Sequence, residues 1–347
     1  MTRRIGIGLA SVLSLLLVGY IYESVAARVD AKTYPPPGLM VDIGAYRLHL
    51  NCIGTGSPTV IIEAGLGDWS TSWTGVAQAV AQTTRVCSYD RAGMGWSEAG
   101  PLPHDAKQTV RELHFLLQTT GVHGPYVMVG HSLGGLFVRV FALEFAPEVA
   151  GVVLIESMNP GQLAQSQRPP SDALPFSYQA ALARFGVARL LVKLPWLAPA
   201  LPVGMEAYYP RYIRPQSFQA TANEMQGMPA AAAQAASLSS FGDLPLTVLS
   251  AAENRLPGWI EWQEELLQLS TQSEQVIAQS SGHNVQLDAP DIAAAVIMKM
   301  VERVRPNVVA DTYCVPVNEV VDVESFMLLL NGSSFCHYRR GLWAEAE

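Results

Sequence analysis

The chain reads as an α/β protein: a mostly parallel eight-stranded sheet, helices on both faces, and a helical cap inserted late in the order. Three observations predict it. Short apolar runs alternate with stretches of helical period from residue 59 to 155 and again from 246 to 304, the rhythm of crossover connections. The runs are continuously apolar rather than alternating, so the strands they form are covered on both sides. Between residues 158 and 242 the rhythm stops, for too long to be a connection within a compact domain.

Composition agrees. Of 347 residues 49% are hydrophobic and 15% charged, which supports a sizeable core and argues against wholesale disorder. The net charge is -8, and basic residues cluster only in pairs such as Arg3-Arg4 and Arg339-Arg340. Nucleic acid is therefore not an expected partner.

The first segment differs in kind. Arg3-Arg4 precede an apolar run over residues 5–22, long enough to span a bilayer, and Glu23 follows it. Positive charge before the run sets the N-terminus inside and the body on the outer side of a membrane. The rival reading is a secretory signal cut after Val25-Ala26-Ala27. Four cysteines fit an exported chain, with pairs 52–87 and 314–336 the natural disulfides and four buried thiols the alternative. No pair has the C-x-x-C spacing of a zinc site, and no metal or organic cofactor is expected.

The elements follow in order. Tyr34-Pro35-Pro36-Pro37-Gly38 is a stiff linker. Residues 39–43 and 46–52 form a hairpin turning at Gly44, and 59–63 is a third strand. A helix over 71–82 leads to a fourth strand, 84–89. Residues 105–120 carry Val110, Leu113, Leu116 and Leu117 on one helical face. A strand at 126–129, a helix over 133–145 and a strand at 151–155 come next. The inserted segment holds two helix-like stretches, 178–194 and 218–238, the second including the run Ala230 to Ala233. Strands at 246–250 and 274–278, separated by a helix over 259–269, complete the sheet, and a helix over 290–304 closes it. The division is thus an anchor or signal at 1–30, a core of 31–157 and 243–305, a cap at 158–242, and a tail at 306–347 with no assigned role.

Chemistry enters at Gly130-His131-Ser132-Leu133-Gly134-Gly135. A buried strand breaks here into a turn and restarts at once as a helix. Such a turn strains its apex, needs small residues on both flanks, and lifts the Ser132 hydroxyl to the positive end of a helix. A serine hydroxyl is a weak nucleophile, so it needs a base, an acid and an oxyanion hole. His283 is the base: of histidines 49, 104, 114, 123, 131, 283 and 337, it alone follows the last strand in a Gly-His loop. His131 beside the nucleophile is a packing residue.

Four pieces, each at the end of a predicted strand, carry a resemblance. They are Gly130-His131-Ser132-Leu133-Gly134-Gly135, Glu63-Ala64-Gly65-Leu66-Gly67, Tyr89-Asp90-Arg91-Ala92-Gly93-Met94-Gly95-Trp96-Ser97 and Ser281-Gly282-His283-Asn284. Over residues 39–305 the chain resembles enzymes of the α/β-hydrolase fold, in the branch of serine esterases, proline iminopeptidases and haloperoxidases with a helical cap. The order Ser132, acid, His283 is that fold's order.

The resemblance makes the acid the informative position. The common site lies just past the seventh strand, where this chain has Ala251-Ala252-Glu253-Asn254-Arg255 and so places Asn254 where aspartate is usual. Asparagine orients an imidazole but cannot stabilise imidazolium with a charge. Certain haloalkane dehalogenases carry the acid after the sixth strand instead. That strand here ends Leu154-Ile155-Glu156-Ser157, and a carboxylate leaving a buried strand needs a partner. Glu156 is the first choice, Glu253 the second; a salt bridge from Glu156 to Arg91 is the structural alternative.

The resemblance also implies an oxyanion hole from the N–H groups of Leu133 and Leu66, with Ala64 in place of a common histidine. Arg91 is expected to be architectural, paired with a carboxylate. Trp69, Trp96, Trp196, Tyr208, Tyr209 and Tyr212 either line a substrate pocket or simply pack. The expected function is cleavage of a small-molecule carboxylic ester through an acyl-enzyme. An amidase or aminopeptidase (with Glu206 or Glu224 holding a free amine), a carbon–carbon hydrolase, and an inactive membrane-anchored binding module are the alternatives. Serine at the elbow argues against dehalogenase or epoxide-hydrolase chemistry.

Overall fold

Thr2–Thr33 form one helix, α1, with its apolar residues turned outward: Ile5, Leu9, Leu13 and Leu17 are all exposed. The helix runs past the expected end of the apolar segment, and Val25-Ala26-Ala27 lies inside it. Its final turns are held by the inserted segment, where Arg189 pairs with Glu23 and Asp30, both at 2.6 Å. The computed structural model describes residues 2–162, 175–194, 205–254, 256–305, 313–316 and 334–337, the last two as backbone.

Eight strands follow with their helices. They are β1 (Leu39–Asp42), β2 (Arg47–Ile53), β3 (Thr59–Glu63), α2 (Thr74–Val80), β4 (Val86–Asp90), α3 (Ala106–Thr119), β5 (Tyr126–His131), α4 (Leu133–Glu144) and β6 (Val149–Ile155). The insertion holds α5 (Phe176–Ala183), α6 (Val187–Leu191), α7 (Tyr208–Tyr212) and α8 (Pro215–Ala236). Then come β7 (Leu246–Ala251), α9 (Trp259–Leu266), β8 (Ser273–Ala278), α10 (Val285–Asp288) and α11 (Pro290–Val304).

The sheet order is β1-β2-β4-β3-β5-β6-β7-β8. β1 and β2 are antiparallel, as are β2 and β4; every later pairing is parallel. Every residue of β3, β4, β5 and β7 is buried, as continuously apolar strands require. One face packs on α3 and α4 through Leu113, Leu117, Phe137 and Phe141, the other on α2 and α11 through Val76, Val80, Ile297 and Met300. Because the central strands are parallel, their carboxyl ends share one edge, where sites of open α/β sheets form.

The insertion departs from its expected outline. The stretch expected as one helix over 178–194 breaks at Gly186, whose φ of +73° only glycine adopts without strain, giving α5 and α6. The second helix begins earlier, at Pro215, whose fixed φ suits a first helical turn. Helix α7 was too short to show a period. The alanine run lies within α8.

Cys52 and Cys87 face each other across β2 and β4 and form a disulfide, so the free-thiol alternative fails for this pair. The chain beyond residue 304 is a separate unit. Within it β9 (Tyr313–Pro316) and β10 (Ser334–His337) pair antiparallel with Cys314 opposite Cys336 in register. The bond expected between those two lies outside the described side chains.

Candidate active site

The turn after β5 is built by close approach. Ser132 has φ 51° and ψ -120°, outside the regions open to most side chains. A Cβ on Gly130 would lie 2.8 Å from Gly135 Cα, and one on Gly134 would strike the carbonyl oxygens of Glu63 and Ala64. The flanking glycines therefore let the turn close against β3. Ser132 Oγ has no hydrogen bond among the described residues, and it faces the cavity it shares with His283.

Only one other non-glycine residue among those described has positive φ: Glu156, at 44°. It follows β6 immediately and is fully buried. Its Oε2 lies 3.2 Å from His283 Nδ1. The same carboxylate accepts from the Ala251 N–H and from Asn254 Nδ2, each at 2.6 Å. Three donors thus compensate a buried acid, which would otherwise be costly. Arg91 is not among its partners.

Asn254 therefore sits where the sequence pattern expects an acid, but it grips Glu156 rather than the imidazole. Glu253 is exposed, and its backbone N–H donates to the Ser281 carbonyl. The structure brings Ser132, His283 and Glu156 to one sheet edge and leaves Glu253 outside. Two further groups fix His283. The Trp259 ring meets it edge-on at 5.2 Å, and His131 Nε2 lies 2.9 Å from its carbonyl oxygen. His131 is fully buried, which pushes its pKa down to about 3, so it is the neutral tautomer that donates there. No sequence signal pointed to that tie.

The loop after β3 is held by a buried ion network. Arg91 pairs with Glu63 at 2.8 Å and with Glu224 of α8 at 2.6 Å, and it donates to the Ala64 and Gly65 carbonyls at 2.7 and 2.6 Å. Glu224 Oε2 in turn accepts from the Gly67 N–H at 3.0 Å, and Glu63 accepts from the Tyr89 hydroxyl at 2.6 Å. Asp68 N–H is spent on the Gly65 carbonyl. That leaves Leu66 N–H, between them, without a hydrogen-bond partner among the described residues. Leu133 N–H, at the first turn of α4, is in the same state.

Ser132 and His283 share a cavity of about 420 Å³ with Leu66, Phe176, Tyr208 and Tyr212. Trp69 is buried behind it, stacked on Tyr208 at 4.8 Å, while Trp96 lies under Arg211 and donates to the Tyr34 carbonyl. Trp196 falls outside the described residues. Asp68 also lines the cavity, donor-bonded by Ser72 at 2.6 Å, and burial pushes its pKa up to about 6. Among the described residues no group of three His, Cys, Asp or Glu side chains is placed to hold a metal ion.

Comparison with known proteins bears on the fold. A family model for the alpha/beta hydrolase fold matches residues 58–290. The YqjL protein of Bacillus subtilis is 25% identical over 245 residues, 69% of this chain and 81% of that one. The chain spans between 18% and 81% of the length of the first curated relatives it matches. Among solved structures, an esterase from Thermogutta terrifontis superposes with a TM-score of 0.55 at 19% identity, covering 76% of this chain and 97% of that one. The epoxide hydrolase CorEH gives 0.57 at 18%, covering 77% and 99%. At such identities these structures share the fold, while the family match spans most of the sheet and both ends of the elbow: the chain belongs to the alpha/beta hydrolase fold family.

Proposed function

We propose that the protein is a serine hydrolase that cleaves a carboxylic ester of a small molecule through an acyl-enzyme. The observation that carries this is the pair of strained residues, Ser132 and Glu156, at the ends of adjacent strands with His283 Nδ1 held at 3.2 Å from Glu156. Strain at two backbone positions, one of them fully buried, persists only where surrounding structure enforces it, and it gathers at functional sites.

In this reading His283 Nε2 removes the Ser132 proton as Oγ attacks the ester carbonyl. Glu156 faces Nδ1, holds the tautomer and stabilises the imidazolium. The Leu66 and Leu133 N–H groups receive the tetrahedral oxyanion; losing one such donor costs about 10²–10³ in rate. The alcohol leaves with the proton from His283, and a water activated by the same imidazole releases the acid. Serine at the elbow cannot form the alkylated carboxylate that epoxide and haloalkane hydrolysis require. Glu224 is committed to Arg91 and the Gly67 N–H, which removes one of the two cap carboxylates from an aminopeptidase's amine site.

We read α1 as an anchor that places the body on the outer side of a membrane. Its outward apolar residues, Arg3-Arg4 before them, and the Cys52–Cys87 disulfide all favour an exported, tethered enzyme. A secreted form cut near residue 27 is the alternative, and the apparent mass of the cell-bound chain separates the two.

A fluorophosphonate probe tests the chemistry. Labelling of the wild type that disappears in Ser132→Ala is expected; labelling that persists in the variant sinks the reading. On a p-nitrophenyl ester, Glu156→Gln is expected to lower kcat by about 10³–10⁴ and Glu253→Gln to leave it within about twofold. The opposite ranking would move the acid to Glu253.

A further inference from the structure

A second cavity, of about 430 Å³, lies apart from the catalytic one, on the other side of α8. Its walls are the last turns of α1, at Tyr20, Ser24 and Ala27, the α8 residues Ala220 and Asn223, and Gly93. These surfaces are mostly apolar. Glu23, Arg184 and Arg214 supply the charge at its rim.

The arginines of the insertion are unequally served. Arg189 is neutralised by Glu23 and Asp30. Arg211 donates to the Tyr34 carbonyl at 2.6 Å and stacks over Trp96. Arg184 and Arg214 have no side-chain hydrogen bond or ion pair among the described residues, although Arg214 is partly buried and Arg189 repels it. The Glu23 carboxylate beside them is already spent on Arg189. A guanidinium withdrawn from water without an acceptor is unfavourable, and an anion in the cavity would supply one.

The height of the cavity along α1 says where such an anion would come from. At about 1.5 Å per residue, residues 5–22 of the helix cover roughly 27 Å, close to the ~30 Å of a bilayer's hydrocarbon. Tyr20 then stands at the end of that span and residues 23–27 occupy the next ~7 Å, the depth of the headgroup layer. The cavity opens beside the helix at the level where lipid headgroups meet their chains.

We infer that this cavity seats an anionic membrane lipid, with its phosphate on Arg184 and Arg214 and the upper part of a chain along the α1–α8 wall. The inference rests on α1 being the anchor proposed above. It gives the insertion a contact with the membrane that leaves the Ser132 cavity open.

Native mass spectrometry of the full chain, released from nanodiscs of mixed phosphatidylglycerol and phosphatidylcholine, tests it. One phosphatidylglycerol retained per chain is expected, with phosphatidylcholine absent. Arg184→Glu combined with Arg214→Glu should lower that occupancy at least tenfold. Ala27→Trp, which fills the wall without altering charge, should do the same, and both variants should keep wild-type esterase activity as proof of folding. Equal retention of the two lipids, retention unchanged in both variants, or displacement of the lipid by inorganic phosphate alone would overturn the inference. Failure of the chain to enter nanodiscs at all would remove the anchor and the lipid site together, whereas entry without retained phosphatidylglycerol removes the lipid site alone.

Discussion

Arg91→Met is the most informative perturbation of the network behind the active site. Arg91 is 4% exposed and lies between carboxylates that are 1% and 2% exposed. Removing it leaves Glu63 and Glu224 buried and unpaired, with the Ala64 and Gly65 carbonyls short of a donor. Breaking a buried ion pair from one side costs about 3–5 kcal/mol, which at about 2 °C per kcal/mol lowers Tm by about 6–10 °C. Glu224→Gln is the control. It removes one of two negative charges and leaves Arg91 balanced against Glu63, so the cost falls to that of a charged hydrogen bond, about 1.5–3 kcal/mol. The pH dependence carries the sign. Burial already holds the Glu63 pKa above the ordinary carboxylate value, and Arg91 opposes that rise. Without Arg91 it rises further, and a raised carboxyl is stabilising below its unfolded pKa and loses that contribution as pH increases through the folded value. The Arg91→Met deficit is therefore largest at mildly alkaline pH and shrinks on acidification. Denaturation of the full chain in detergent at two pH values measures it, and kcat should fall with the loosened Ala64–Gly67 loop while KM changes little. A deficit equal at both pH values, or smaller than that of Glu224→Gln, refutes the reasoning.

Three other outcomes follow from the same contacts. Asp68 titrates at about 6 against an ordinary 3.8, so the wild type loses on the order of 3 kcal/mol from this group as pH rises through 6; Asp68→Asn is expected to flatten that part of the stability curve, and an unchanged slope by urea titration would contradict it. The double variant Cys52→Ala, Cys87→Ala opens a crosslink of 35 residues' separation and should destabilise the body by about 2–4 kcal/mol, measured as a shift in the denaturant midpoint. Gly65→Ala would set a Cβ 2.8 Å from His131 Nδ1 and 3.4 Å from Ser132 Cβ; kcat is expected to fall by about 10²-fold or more if the loop moves off one oxyanion donor, with little loss of Tm.

What the sequence made legible follows from how local the signals are. Each core strand is a continuous apolar run, and each glycine-bearing turn sits at the end of one, so the eight strands and the position of Ser132 could be read from neighbours in the chain. The helix start at Pro215 and the break at Gly186 are local too, but their periodic signal was blurred by alanine and proline in the insertion. Arg91 was expected to meet a carboxylate; that it meets two, one of them Glu224 from more than a hundred residues away, depends on how the insertion folds back on β3. His131 is a similar case. Its value to the site is a hydrogen bond to the His283 backbone, 152 residues on, and nothing in Gly130-His131-Ser132 distinguishes that from simple packing.

Asn254 shows how a departure from a family pattern can be read physically. An amide at the usual acid position leaves the imidazole uncharged on that side, so either the site is inert or the charge comes from elsewhere. The geometry favours the second. Asn254 donates to Glu156 at 2.6 Å, as does the Ala251 N–H, and these two bonds hold a carboxylate that points back from the end of β6. An aspartate at 254 would instead set a second negative charge against the buried Glu156, which raises one pKa of the pair and weakens the charge that lies 3.2 Å from His283 Nδ1. Asn254→Asp is therefore expected to lower kcat rather than restore a missing acid, and to shift the pH–rate profile toward alkaline pH as the shared proton is lost. If Asn254→Asp matches or exceeds the wild type on a p-nitrophenyl ester while Glu156→Gln in the same background costs nothing, position 254 is the working acid site and the role given to Glu156 is wrong.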